Sequence, residues 1–265
     1  MIQKRGANHM QKKRIVLKIG GKSLSSGKLI RRAAKLIAKE QESNEMIVVV
    51  SAPGNMTSSL IGILNDMGSK INPKAWDHAL SYGEIISASL LAAELENLGI
   101  KYTLFDPMSP SWPIITDSNF GDANPLENKV RAICRKELVP LLRGGRVIVI
   151  PGFVGKTAKN EISTMGRGSS DLSAFLIAKC IAADEIIKVS DVDGVYLDGK
   201  KVDSMSLGQL MRICSNGQRK YEKPYSIIQL KALSYFNAPT IARVVSYKDK
   251  NIHKSGTVIY ASESL

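Results

Sequence analysis

Thr164-Met165-Gly166-Arg167-Gly168-Ser169-Ser170-Asp171 runs directly into Leu172-Ser173-Ala174-Phe175-Leu176-Ile177-Ala178. The second segment reads as a buried helix and the first as its entry. Two glycines flank an arginine, and their missing side chains let backbone come close to a ligand. Serine and aspartate at a helix start satisfy its free N–H groups, and that end of a helix attracts anions. An arginine held there can grip a carboxylate or a phosphate through two parallel hydrogen bonds. An ordinary capped helix after a glycine turn is the lesser alternative for the stretch read alone, and the flanking chain weighs against it.

Outward from this entry the pattern alternates between strand and helix. Residues 14–19, 46–50, 101–105, 147–150, 185–189, 240–244 and 258–260 are rich in β-branched and apolar side chains. The runs 46–50 and 147–150 are apolar throughout, which predicts strands buried on both faces. Helical spacing marks 29–38, 81–98, 126–142, 206–214 and 225–236. In 81–98, Gly83-Glu84 falls in the first turn, Leu90, Leu91, Leu95 and Leu98 supply the core stripe, and Gly99 stops the helix. The alternation predicts an α/β chain, a three-layer αβα sandwich around a mainly parallel central sheet. Ligands in such sheets bind outside the C-terminal strand edges. Gly20-Gly21, residues 51–57, Pro151-Gly152 and residues 190–194 all leave strands there, so four small-residue loops are expected on one rim.

A chain of 265 residues holds one large α/β domain or two small lobes. Residues 1–10 read as an appended, tag-like tail. No apolar run approaches the ~20 residues of a membrane helix, and the polar, basic start is no secretory signal. Cys134, Cys180 and Cys214 are odd in number and widely spaced, so they read as reduced residues and place the chain in the cytoplasm. His9, His78 and His253 show no metal-ligand spacing. The formal charge of +13 is spread along the chain without an aromatic-interleaved basic block. It reads as a solvated surface or a pull on small anions, not as a nucleic-acid interface.

Lys18-Ile19-Gly20-Gly21 puts a lysine near the end of the first strand and two glycines after it. Exposed backbone N–H groups and a movable positive charge suit phosphate oxygens. Gly21-Lys22-Ser23 imitates the tail of a P-loop, but that motif needs glycine at position 16, which is Val16.

Taken in order, six segments resemble the amino acid kinase family and, within it, the aspartokinases. They are Lys18-Ile19-Gly20-Gly21-Lys22-Ser23, residues 48–57, Tyr82-Gly83-Glu84-Ile85-Ile86-Ser87, residues 164–171, Ser190-Asp191-Val192-Asp193-Gly194-Val195-Tyr196, and Ser255-Gly256-Thr257-Val258-Ile259. The match runs from about residue 14 to about residue 260. It implies a single catalytic domain over 11–265, with an acceptor-binding lobe at 11–175 and an ATP-binding lobe at 176–265. The implied reaction is ATP-dependent phosphorylation of the side-chain carboxylate of L-aspartate, giving 4-phospho-L-aspartate and ADP. Lys18 would neutralise the transferring phosphoryl group, supported by the N–H groups of Gly20 and Gly21, and Asp171 would orient Lys18. A carboxylate acceptor is already ionised at neutral pH, so no general base is required.

Arg167 would clamp the acceptor's other carboxylate, Glu84 would meet its ammonium group, and Thr57 and Ser170 would add hydrogen bonds. Ser190, Asp191 and Tyr196 would line the ATP site. Lys200 or Lys201 would stand in for the arginine that the family often carries after that tyrosine. Mg²⁺ would be held mainly by ATP phosphates and water. A homodimer is implied, with no nucleic-acid or membrane partner. Lys22 and Ser169 depart from the family pattern, and the regulatory ACT domains common in aspartokinases are expected to be missing from this chain. Other acceptors stay open: an acetylglutamate- or aminoadipate-type kinase, a UMP or isopentenyl phosphate kinase, or a non-catalytic nucleotide-binding subunit.

Overall fold

The computed structural model describes residues 12–68, 70–197, 199–216, 228–249 and 251–261. The expected tail at 1–10 and the first residues of the helix expected at 225–236 lie outside the described residues. In chain order the elements are β1 (Lys13–Ile19), a 3₁₀ turn (Gly21–Leu24), α1 (Gly27–Glu40), β2 (Asn44–Val50), α2 (Met56–Asp66), α3 (Pro73–Asn97), β3 (Tyr102–Leu104) and β4 (Ile115–Thr116). Then come α4 (Glu127–Ile133), a π turn (Cys134–Leu138), α5 (Val139–Arg143), β5 (Val147–Pro151), β6 (Val154–Thr157), β7 (Ile162–Thr164), α6 (Ser170–Ile181) and β8 (Glu185–Ser190). The last are β9 (Val195–Leu197), β10 (Lys200–Val202), β11 (Ser204–Ser206), α7 (Leu207–Asn216), α8 (Leu230–Leu233), β12 (Ile241–Ser246) and β13 (Thr257–Tyr260).

Eight strands form one sheet in the order β11-β13-β12-β8-β1-β2-β5-β3, and each neighbouring pair is parallel except β12 with β13. Side chains of a strand alternate between faces. Ile15, Leu17 and Ile19 of β1 therefore pack with Ile30, Ala34 and Ile37 of α1 and Leu91 and Leu95 of α3. Val16 belongs to the opposite core, with Ile47, Ile148 and Ile186 of the neighbouring strands and Leu172, Phe175 and Leu176 of α6. Helices thus cover both faces, as the αβα expectation requires. Each such fully buried side chain contributes about 1.5–3 kcal/mol. A three-stranded sheet, β4-β6-β7, and the β9–β10 hairpin stand outside the main sheet.

The four loops do meet on one rim. Gly20 N–H donates to the Val189 carbonyl at 3.0 Å, Ser51 N–H to Ile19 at 3.1 Å, and Gly152 N–H to Val50 at 2.9 Å. Several elements differ from the sequence reading. The helix expected to start at residue 81 begins at Pro73, where Asn72 accepts from the Lys74 N–H at 2.9 Å and caps it. Gly83-Glu84 therefore lies in mid-helix, and of the four leucines expected in the core stripe only Leu91 and Leu95 are buried; Leu90 and Leu98 are exposed. Residues 56–66, of which only 56 and 57 were assigned, to the loop 51–57, form α2. Residues 154–164, read as a loop, form the β6–β7 hairpin. The helix over 126–142 carries the π turn just before Pro140, whose ring crowds the carbonyl four residues back; a wider turn relieves the clash.

Candidate active site

Strand parity builds the centre of the site. Lys18 follows Val16 by two residues and Lys188 follows Ile186 by two, so both lysines point from the sheet toward α6. Lys18 and Lys188 are also direct register partners on β1 and β8. The helix α6 begins on the same face and offers Asp171 in its first turn, an end that favours a carboxylate. Lys18 Nζ lies 3.0 Å from Asp171 Oδ1, and Lys188 Nζ lies 2.7 Å from Oδ2. The Gln229 N–H donates to Oδ2 at 3.4 Å. All three ionic residues are buried, with Lys18 8%, Lys188 7% and Asp171 4% exposed. Burial would raise the Asp171 pKa, but Lys18 and then Lys188 outweigh it and hold the carboxyl at about 2. Burial pushes Lys188 down, with Asp171 opposing. Among the described residues, two buried ammonium groups face this one carboxylate.

Of the two glycines after β1, Gly20 has its N–H committed to Val189. The Gly21 N–H opens the 3₁₀ turn, where no intrahelical acceptor exists. A methyl group at Gly21 would fall 2.2 Å from the Ala52 carbonyl oxygen, so only glycine fits between the two loops. Gly83 does the same for α3, since a methyl there would reach Ala52 Cβ at 2.8 Å. That approach lets Glu84, 3% exposed, reach the β2 exit. Its Oε1 accepts from the Ala52 N–H at 3.2 Å, while the buried Oε2 has no partner among the described residues. Burial raises the Glu84 pKa to about 7, against the pull of the Ala52 N–H and Lys18.

Thr57 stands in the first turn of α2, half-buried beside Gly83. Asn55, not Thr57, holds the cap position there. Arg167 is exposed and donates from Nη2 to the Ser58 hydroxyl at 3.1 Å, joining the α6 entry to α2. Ser169 has φ −77°, a conformation open to any residue, and its hydroxyl donates to the Gly166 carbonyl at 2.6 Å. Ser170 is buried at the first position of α6.

On the other side of Lys18, Ser190 ends β8 and donates to Asp191 Oδ1 at 3.1 Å. Lys22 reaches Asp191 Oδ2 at 2.7 Å, so this departure from the family pattern ties the β1 exit to the β8 exit. Tyr196 donates to Asp193 Oδ1 at 2.7 Å, and Lys201 lies 3.5 Å from Asp193 Oδ2. Lys200 is exposed at the start of β10.

Two residues escaped the sequence reading. Lys188 was passed over as part of a strand; its signal is a lysine inside Ile186-Ile187-Lys188-Val189, where a buried charge is costly unless paired. Asp77, fully buried on α3, accepts from the Thr164 N–H and hydroxyl, both at 2.7 Å, and from the Gly121 N–H at 2.9 Å. It anchors the start of the 164–171 stretch. Its neighbourhood in sequence, short of the expected helix start, gave no hint of this.

A model of the amino acid kinase family matches residues 13–222. An aspartokinase from Rickettsia felis is 32% identical over 256 residues, covering 90% of this chain and 62% of the relative. An aspartokinase from Mycobacterium tuberculosis is 28% identical over 260 residues, covering 94% and 57%. The chain thus spans about three-fifths of the length of these curated relatives. Among solved structures, E. coli aspartokinase III in complex with aspartate and ADP superposes with a TM-score of 0.79 at 20% identity, covering 94% of this chain and 65% of that one. Aspartate kinase from Synechocystis gives 0.76 at 23% identity, covering 95% and 40%. At these identities the likeness to the solved structures establishes the fold.

Proposed function

The chain belongs to the amino acid kinase family, and from that premise we propose that it transfers the γ-phosphoryl group of ATP to the side-chain carboxylate of L-aspartate, giving 4-phospho-L-aspartate and ADP. The observation that carries this reading is the buried Lys18–Asp171 pair at 3.0 Å, which lies at the C-terminal strand rim beside the Gly20-Gly21 turn. Phosphoryl transfer asks the protein for position and charge. Lys18 neutralises charge on the transferring group, Asp171 orients Lys18, and the Gly21 N–H donates beside it; the committed N–H of Gly20 leaves that residue to shape the turn.

The acceptor end is Arg167 on the α-carboxylate, Glu84 on the ammonium group, and Thr57 and Ser170 on the remaining oxygens. The partnerless Glu84 Oε2 supports a cationic guest there. Ser190, Asp191, Tyr196, Lys200 and Lys201 form the nucleotide end. The cationic donor set at Lys18 fits a nucleotide's terminal phosphate, and Mg²⁺ would arrive with the phosphates and water, supplying charge neutralisation. The same reading takes residues 11–175 as the acceptor lobe and 176–265 as the nucleotide lobe of a cytoplasmic homodimer. Among the described residues no helix is long and apolar enough to cross a membrane.

The test is ATP consumption with aspartate, glutamate, N-acetylglutamate, UMP and isopentenyl phosphate, each with hydroxylamine present. An acyl phosphate is trapped as a hydroxamate and a phosphoanhydride is not. Hydroxamate from aspartate is the expected result; turnover with UMP alone would replace this reading.

A further inference from the structure

We propose that Lys188 is a positioning residue for the phosphoryl transfer: from the neighbouring strand it holds Asp171, and through Asp171 it fixes Lys18. The inference rests on the kinase reading above. Each carboxylate oxygen of Asp171 meets one ammonium group, Lys18 at Oδ1 and Lys188 at Oδ2. The Gln229 N–H adds a second donor at Oδ2. With Oδ2 occupied, Oδ1 is the oxygen that faces Lys18, in an ion pair at 3.0 Å.

Lys18 and Asp171 already neutralise each other. Lys188 brings a second buried ammonium group to that pair, a desolvation cost that its 2.7 Å contact with Asp171 opposes. Its place is set by the β1–β8 register, where it lies directly beside Lys18. Adjacent strands run about 4.8 Å apart, so the two stems rise in parallel toward one carboxylate.

The test compares Lys188→Met and Lys188→Arg with the unaltered enzyme in the hydroxamate assay, alone and with Asp171→Asn, alongside thermal unfolding. Lys188→Met is expected to lower kcat on the order of 10²-fold with the aspartate KM within about twofold, and Lys188→Arg to recover about tenfold of that loss. Once Asp171→Asn is present, adding Lys188→Met is expected to change kcat by less than about threefold, because the group it acts through is gone. Unchanged kcat in Lys188→Met overturns the inference alone. So do losses that multiply fully with Asp171→Asn, or equal falls in stability and kcat in both variants, which mark a structural lysine. No hydroxamate from aspartate in the unaltered enzyme sinks the kinase reading, and this inference with it.

Discussion

At the N-terminal rim of the sheet, His253 bridges Glu40 at 2.7 Å and Glu185 at 3.3 Å, and Arg243 donates to Glu185 at 3.1 Å. At the C-terminal rim, Lys18 and Lys188 share Asp171. Both clusters bury charge between β8 and its neighbours. The first balances two carboxylates against an arginine and an imidazole, and no buried side-chain atom in it lacks a partner among the described residues. Among the described residues the second sets two ammonium groups on one carboxylate and lies near a glutamate with a partnerless oxygen. A cavity of about 590 Å³ opens at the balanced rim, lined by Lys13, Glu40, Asp184, Glu185, Arg243 and His253. Volume is therefore a poor guide here. Unspent hydrogen-bonding capacity on a buried carboxylate, as at Glu84 Oε2, distinguishes a candidate site from a fastening.

The sharpest way to break this contrast is Lys18→Ala. It should lower kcat by about 10²–10³-fold with little change in the aspartate KM, measured as hydroxamate formed per enzyme. Arg167→Ala comes next. The side chain is exposed with one hydrogen bond to Ser58, so the fold should be untouched while the aspartate KM rises by roughly 10–100-fold. Comparable losses in kcat and KM for both variants would erase the division of labour.

Glu84 gives a smaller, pH-dependent effect. Its carboxyl titrates at about 7, raised by burial. Below that pH it becomes neutral and loses its hold on an ammonium group, so kcat/KM for aspartate should fall about tenfold per pH unit under pH ~7. Glu84→Gln should flatten that limb. Because the folded state resists ionising Glu84, its stability is lost as pH rises from the ordinary carboxyl range near ~4.3 to about 7. Glu84→Gln should therefore melt higher than the parent at pH 8.

The smallest effect belongs to the balanced rim. The Glu185 hydrogen bond, opposed by burial and helped by Glu40, raises the His253 pKa. That stabilisation is complete below about pH 6.5 and disappears as pH rises through the elevated value. His253→Gln should remove this alkaline decline in Tm, a matter of about 2–4 °C, and leave turnover alone.

The central strands and the convergence of their loops were legible because 46–50 and 147–150 are apolar on every residue, a pattern set by burial on both faces. Lys18, Asp171 and Arg167 were conspicuous because each lies within three residues of a glycine at an element boundary, Lys18 at the end of β1, Arg167 between Gly166 and Gly168, and Asp171 in the first turn of α6. Lys188 was illegible for the converse reason: its surroundings are those of an ordinary strand, and only the register with β1 reveals its partner. Asp77 lies 87 residues from Thr164, beyond any local pattern. The start of α3 was misplaced because Gly83 imitates a helix entry, whereas its missing side chain serves the approach of the helix to Ala52. The exposed Leu90 and Leu98 fit the same error, since the buried stripe of a helix entered at Pro73 passes through Leu80, Leu91 and Leu95.

Lys18 and Lys188 stand on adjacent rungs of one backbone ladder, while Arg167 stands on a loop and Thr57 on a helix outside the sheet. Inheritance can act on these two layers separately. On the function proposed above, substitutions along 51–57 or 164–170 would alter the acceptor end while the ladder that holds Lys18 and Lys188 stays as it is.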